Sequence, residues 1–112
     1  MGTEKGVKLD IGKIRLGLVL SGFSTALKEV GKVGTFGANK YTDNGWQEVE
    51  NAKERYTDAL LRHLFAHFEG EPIDKESGLL HLAHCAWNAL AILYFEVNKN
   101  KDLERVLKIL NG

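Results

Sequence analysis

Residues 78–95 read Gly-Leu-Leu-His-Leu-Ala-His-Cys-Ala-Trp-Asn-Ala-Leu-Ala-Ile-Leu-Tyr-Phe. A helix this apolar must be covered on nearly all sides. Three polar residues interrupt it: His81, His84 and Asn88. Their i, i+3, i+7 spacing stacks them on one side of a helix. Polar side chains buried there need hydrogen bonds, a metal or a ligand. The fold must therefore supply both apolar cover and polar partners to this one segment.

A chain of 112 residues supports one domain with one modest core. Its 44% apolar content suits a globular protein. Fifteen basic and fifteen acidic residues cancel, so no global field draws in a nucleic-acid polymer or an anionic membrane. The lone cysteine, Cys85, excludes an internal disulfide and reads as a small buried hydrophobe. Met1-Gly2-Thr3-Glu4-Lys5 leads into no long apolar run, and no run reaches membrane-spanning length. The expected compartment is the cytoplasm.

The 3.6-residue period and the absence of alternating strands predict an all-α fold. The expectation is a compact bundle of three main helices plus a short C-terminal one. Residues 1–17, with glycines at 2, 6, 12 and 17, read as an extended arm, leaving 18–112 as the helical domain. The first helix is predicted over 18–33. The glycine-rich stretch 34–45 should be a broken turn or short helix and then a loop. A second helix is expected over 47–69, stopped by Gly70 with Pro72 beyond. Asp74 or Ser77 would cap a third helix running to about Val97. Asn98-Lys99-Asn100 should break the chain before a final helix bearing Leu103, Val106, Leu107 and Leu110.

Several groups could carry chemistry. Glu50, Glu54 and Asp58 lie at i, i+4, i+8, followed by Arg62. Such a row is either a solvated face or a set of hard ligands for a cation such as Mg²⁺. His63 shares a face with Tyr56, Ala59 and Leu60 and should point inward. The short 70–77 connection predicts antiparallel packing of the second and third helices. That would bring His63 and Arg62 near His81, His84 and Asn88, with Asp58, Asp74 or Glu76 beside them. A polar cluster between packed helices is a usual place for a site in a bundle. His67 lies nearer the surface. Lys13, Arg15, Lys40, Tyr41 and Trp46 add cations and aromatics suited to phosphate and to a stacked base. Walker, Rossmann, nucleophile-elbow, zinc-ribbon and His-Glu-x-x-His motifs are all missing.

Ordered blocks along the chain resemble a phage family. They are Asp10-x-Gly12-Lys13-x-Arg15-Leu16, Phe36-Gly37-Ala38-x-Lys40-Tyr41, Trp46, Arg55-Tyr56-x-x-Ala59-x-x-Arg62-His63-Leu64 and Gly70-Glu71-x-x-Asp74-x-Glu76-Ser77-Gly78-Leu79-x-His81-Leu82-Ala83-His84. The family is the N-terminal domain of dATP/dGTP diphosphohydrolase, and the match spans residue 10 to about 95.

The resemblance implies a small all-α enzyme similar in role to the MazG-like pyrophosphohydrolases. It would cleave a (deoxy)purine nucleoside triphosphate to the monophosphate and pyrophosphate with a divalent metal. Mg²⁺ is the leading candidate, with Mn²⁺ or Co²⁺ as alternatives. Glu54, Asp58, Asp74 and Glu76 would hold the metal. Lys13, Arg15, Lys40, Tyr41, Trp46, Arg62 and Asn88 would bind substrate, and His63, His81 and His84 would carry the proton. A homodimer or homotetramer is expected. The usual MazG acid pairs do not recur here, since the third helix offers histidines and Glu29 is followed by Lys32. Two alternatives stand beside catalysis. One is a phage protein that only binds or sequesters a nucleotide or host partner. The other is an oligomer whose polar core sets packing specificity.

Overall fold

A computed structural model of the chain describes residues 6–9 and 11–112, apart from the side chains of 100 and 102. Residues 1–5 and Asp10 of the expected arm lie outside the described residues. The fold is all-α. Among the described residues four α-helices follow in order: α1 (Leu16–Gly22), α2 (Ser24–Lys40), α3 (Ala52–Phe68) and α4 (His81–Asn111), with a 3-10 turn at Gly45–Glu48.

The antiparallel pairing of α3 and α4 is the centre of the molecule. Cys85 Sγ donates to Leu60 O, Tyr56 packs edge-on to Trp87, and Lys53 pairs with Glu96. The contacts thus run in opposite senses along the two helices. Gly70 makes the reversal possible. Its φ of +92° is open to glycine at little cost. Its N–H bonds His67 O at 3.1 Å, and the next N–H, of Glu71, bonds Ala66 O at 3.0 Å. That is the Schellman termination expected of a glycine just past a helix end.

Three helix boundaries differ from the sequence expectation. The first helix starts at Leu16 and, after a kink at Phe23, runs through the glycine-rich stretch to Lys40. Phe23 breaks the regular dihedrals, yet its N–H still bonds Val19 O and its O accepts from Leu27 N–H. Each glycine costs a helix up to about 1 kcal/mol relative to alanine. Packing against α4 offsets this: the backbone at Gly34 lies alongside the Trp87 indole, where an added Cβ would make ordinary van der Waals contact at 3.5 Å.

The expected break at Asn98-Lys99-Asn100 is absent, and the short terminal helix is the end of α4. Asparagine lowers helix propensity by less than about 1 kcal/mol per residue, which does not end a helix already nucleated. Asn98 turns its amide back to Tyr94 O at 2.9 Å. The third boundary is the start of α4. It begins at His81 with Leu80 as an uncapped N-cap, not at a cap formed by Asp74 or Ser77. Those two side chains satisfy each other instead.

The 3-10 turn places Trp46 against Trp87, Tyr94 and Phe95, with centroid separations of 5.5, 4.9 and 5.9 Å. Tyr56 Oη donates to Trp46 O at 3.0 Å and closes the cluster from α3. Among the described residues, the buried apolar ones are small: Val33, Ala52, Ala83 and Ala91. Leu82, Leu90, Leu93 and Val97 run exposed along one side of α4, and Leu103, Val106, Leu107 and Leu110 are exposed towards its end. The radius of gyration is 19.1 Å, against about 13 Å for a compact domain of this length. Among the described residues, no helix is long and apolar enough to cross a membrane.

Candidate functional site

The polar stripe of α4 faces inward. His81, His84 and Asn88 are 5%, 9% and 5% exposed. Opposite them stands His63 of α3, and the loop over 70–80 closes the end of the pair. The loop's own backbone bonds hold it there: Asp74 N–H to Leu79 O at 2.8 Å, Gly78 N–H to Asp74 O at 2.7 Å, and His81 N–H to Pro72 O at 2.9 Å.

Two linked arrangements result. In the first, the ring nitrogens Nδ1 of His63 and His81 lie 2.8 Å apart, so one ring donates and the other accepts. In the second, Asp74 Oδ2 accepts from both the Ser77 N–H at 2.9 Å and the Ser77 hydroxyl at 2.7 Å. The same hydroxyl oxygen accepts from Leu79 N–H at 3.2 Å and meets His84 Nε2 at 2.7 Å. With the serine proton committed to Asp74, His84 carries its proton on Nε2. Ser77 is therefore a relay between carboxylate and imidazole, without the proton geometry of a serine nucleophile. His63 joins the two arrangements by stacking on His84, with centroids 4.3 Å apart and planes within 7°.

Burial shapes the charge of the cluster. It lowers His63 to about 4, and the His84 charge adds to the effect while Asp74 opposes it. His84 is lowered too, again mainly by burial, against the pull of Asp74. Burial works to raise Asp74, but the Ser77 hydroxyl and N–H hold it below the usual carboxylate range. The result is an ionised carboxylate beside two imidazoles held neutral. Among the described residues, one buried side-chain polar atom has no partner: His81 Nε2.

The residues expected at the site are distributed as follows. His63, His81, His84 and Asp74 come together. Asn88 lies next along α4, but its amide donates to His84 O at 2.8 Å and is spent on the helix backbone. Arg62 and Asp58 are exposed and line an open groove with Leu61, Phe65, Ala66 and Glu69. Glu54 lies at the first turn of α3 beside Val49, Phe95 and Asn98. Glu76 reaches Lys40 Nζ at 2.5 Å, which ties the end of α2 to the site loop. Tyr41 is 72% exposed, and Lys13 and Arg15 stand exposed before α1. Trp46 is packed in the aromatic cluster.

The four acids Glu54, Asp58, Asp74 and Glu76 are thus not gathered around one point. Among the described residues, the group able to share one metal ion is His63, Asp74 and His81, whose ligand atoms all lie within 4.8 Å of one another. Ser77 is the participant that sequence reasoning missed. The signal was the Asp-x-x-Ser spacing, which favours a side-chain-closed turn as much as a helix cap.

Comparison with known proteins gives a consistent picture. A family model described as dATP/dGTP diphosphohydrolase, N-terminal, matches residues 3–105. A curated relative, a dATP/dGTP diphosphohydrolase of Salmonella phage PMBT28, is 34% identical over 100 residues. The alignment covers 89% of this chain and 33% of that relative, so the chain spans about a third of the relative's length. No solved structure matches.

Proposed function

The chain belongs to the dATP/dGTP diphosphohydrolase N-terminal family, and we propose that it hydrolyses a (deoxy)purine nucleoside triphosphate to the monophosphate and pyrophosphate. The observation that carries this reading is the convergence of three imidazoles and a carboxylate between α3 and α4, where burial of polar groups is costly. A site of perturbed titratable groups in a packed cleft is the ordinary signature of chemistry. A divalent cation, Mg²⁺, Mn²⁺ or Co²⁺, supplies charge neutralisation when bound. His84, held neutral, accepts a proton from the attacking water. Asp74 keeps His84 oriented through Ser77. Arg62 lies on accessible surface suited to phosphates, with Lys13 and Arg15 as further cations; Lys40 would exchange Glu76 for a phosphate, and the exposed Tyr41 ring, now under the Lys40 ammonium, would stack on a base. Work in the cytoplasm, the host's where the gene is phage-borne, fits a nucleotide substrate.

The assay is pyrophosphate release from dATP, dGTP and the other triphosphates with each cation. His81→Ala is expected to cut the rate at least tenfold while far-UV circular dichroism stays helical. A second reading, binding without turnover, is favoured by one fact: the chain spans only a third of the relative that bears the activity's name. Nucleotide binding by calorimetry without pyrophosphate release would select it. Neither binding nor release would end both readings.

Self-association belongs to the same proposal. The exposed leucine and valine stripes of α4 need cover, and a symmetric homodimer or homotetramer supplies it. Light scattering at micromolar concentration is expected to give twice or four times the 12.5 kDa chain mass. A monomer mass would overturn this part alone.

A further inference from the structure

We propose that His63, Asp74 and His81 form a binding site for a divalent transition-metal ion of the zinc–cobalt class, one that discriminates against Mg²⁺. The inference deepens the functional reading above and rests on it only for the use the cell makes of the ion.

Four observations carry it. First, the three side chains each offer a ligand atom within 4.8 Å of the others, close enough to surround one ion. Secondly, two imidazole nitrogens 2.8 Å apart must share a proton in the metal-free chain. Two nitrogens each about 2.1 Å from a tetrahedrally coordinated metal are about 3.4 Å apart, so an ion replaces that proton once the rings part by about 0.6 Å. Thirdly, His81 is 5% exposed and its Nε2 is buried without any partner. Burial holds the ring so that Nδ1 stays facing His63; an ion bound there would leave Nε2 unpartnered.

Fourthly, the carboxylate is already held in place. Both Ser77 donors meet Asp74 Oδ2, and Ser77 is fixed in turn by Leu79 N–H and His84. Asp74 Oδ1 takes no part in these bonds. Outer groups that orient a ligand in this way characterise metal sites.

The donor set decides the metal. Mg²⁺ prefers oxygen ligands at near-octahedral geometry and keeps its waters. Two imidazoles and one carboxylate suit borderline ions such as Zn²⁺ and Co²⁺. Three protein ligands also leave coordination positions for water or a phosphate oxygen, as an open site requires.

The test is titration of the EDTA-stripped full chain with Co²⁺, Zn²⁺ and Mg²⁺ separately. Visible absorption of Co²⁺ in a nitrogen-containing site and calorimetry report binding; neither depends on activity. One Co²⁺ per chain is expected, bound at least a hundredfold more tightly than Mg²⁺. Asp74→Asn and His81→Gln keep size and polarity, and each should weaken Co²⁺ at least tenfold. His63→Gln is the second line should either variant lose its helical spectrum. Zn²⁺ should also raise the melting temperature of the native chain and not that of the variants.

Absent Co²⁺ absorption, equal affinity for Mg²⁺, or unchanged affinity in folded variants would each overturn the proposal. The outcomes separate from those of the functional reading. Hydrolysis with Mg²⁺ and no Co²⁺ binding leaves the function and removes this site. Co²⁺ binding without any effect on nucleotides leaves the site and removes the function.

Discussion

Trp46→Ala is expected to lower the melting temperature by roughly 10–15 °C and to leave any nucleotide affinity within about twofold at temperatures where the variant is folded. The ring touches Trp87, Tyr94 and Phe95, and the backbone oxygen of the same residue takes the Tyr56 hydroxyl. Tryptophan-to-alanine changes in cores cost about 3–5 kcal/mol, and a half-buried ring falls near the lower end. At about 4 °C per kcal/mol for a chain of this size, about 3 kcal/mol gives the stated shift. Few other apolar contacts can compensate, since the buried apolar residues among those described are one valine and three alanines.

Tyr41→Ala is the contrast. Its ring is largely in solvent and its absence should move stability by under about 0.5 kcal/mol. Thermal melts and nucleotide titrations of the two variants assign the roles. A Trp46 variant that melts normally and loses nucleotide affinity would make the ring a stacking platform and not a packing group.

The comparison of these aromatics indicates what a sequence can disclose here. The α3–α4 hairpin was readable because its signals are local: a glycine past a helix end, a proline beyond it and a short connection. The inward polar stripe was readable for a global reason, since an apolar helix leaves its polar residues nowhere else to go. His63 followed from its phase against Tyr56 and Leu60. By contrast, propensity alone argues against the course of α2 through Gly31, Gly34 and Gly37, and the α4 surface it packs on, Trp87 included, is remote in sequence.

The acids illustrate a different shortfall. Glu54 and Asp58 stand nine and five residues before His63. At 100° per residue they lie about 180° and 140° from it around α3. Helical phase therefore separates them from the imidazoles, although their i, i+4 spacing suggested a cation site. Glu76 was within reach of the cluster in sequence, but Lys40 holds it from α2. Asp74 and Ser77 had the chemistry of a helix cap, and the structure uses the same chemistry to close a turn four residues before α4 begins. Competing uses of one local motif are not separable without the tertiary context.

Acidification supplies a test of the buried cluster itself. The metal-free chain in EDTA is expected to melt at progressively lower temperature as the pH falls from 7 to 5. The folded-state pKa of His63 is lowered from 6.5 to about 4, with burial the main cause, and His84 is lowered in the same direction. Between these values the unfolded chain binds protons that the folded chain refuses, so stability falls with pH. The contribution is complete above about 6.5 and is lost as the pH approaches 4. Asp74 titrates in a separate window: its folded pKa is depressed, so its contribution is present above its unfolded value and disappears only at lower pH. The groups facing His63 are His81, His84 and Asp74, with Arg62 adjacent, and the one acid among them partly opposes the shift. Because the ring is partly open to solvent, its effect is discounted to about 1 kcal/mol, and His84 acts in the same direction. A loss of at least about 4 °C follows for a chain of this length. His63→Gln should flatten the pH dependence of the melt, since an amide cannot take the proton. A melting temperature that stays level or rises between pH 7 and 5 would mean that the imidazoles are solvated and that no buried cluster exists.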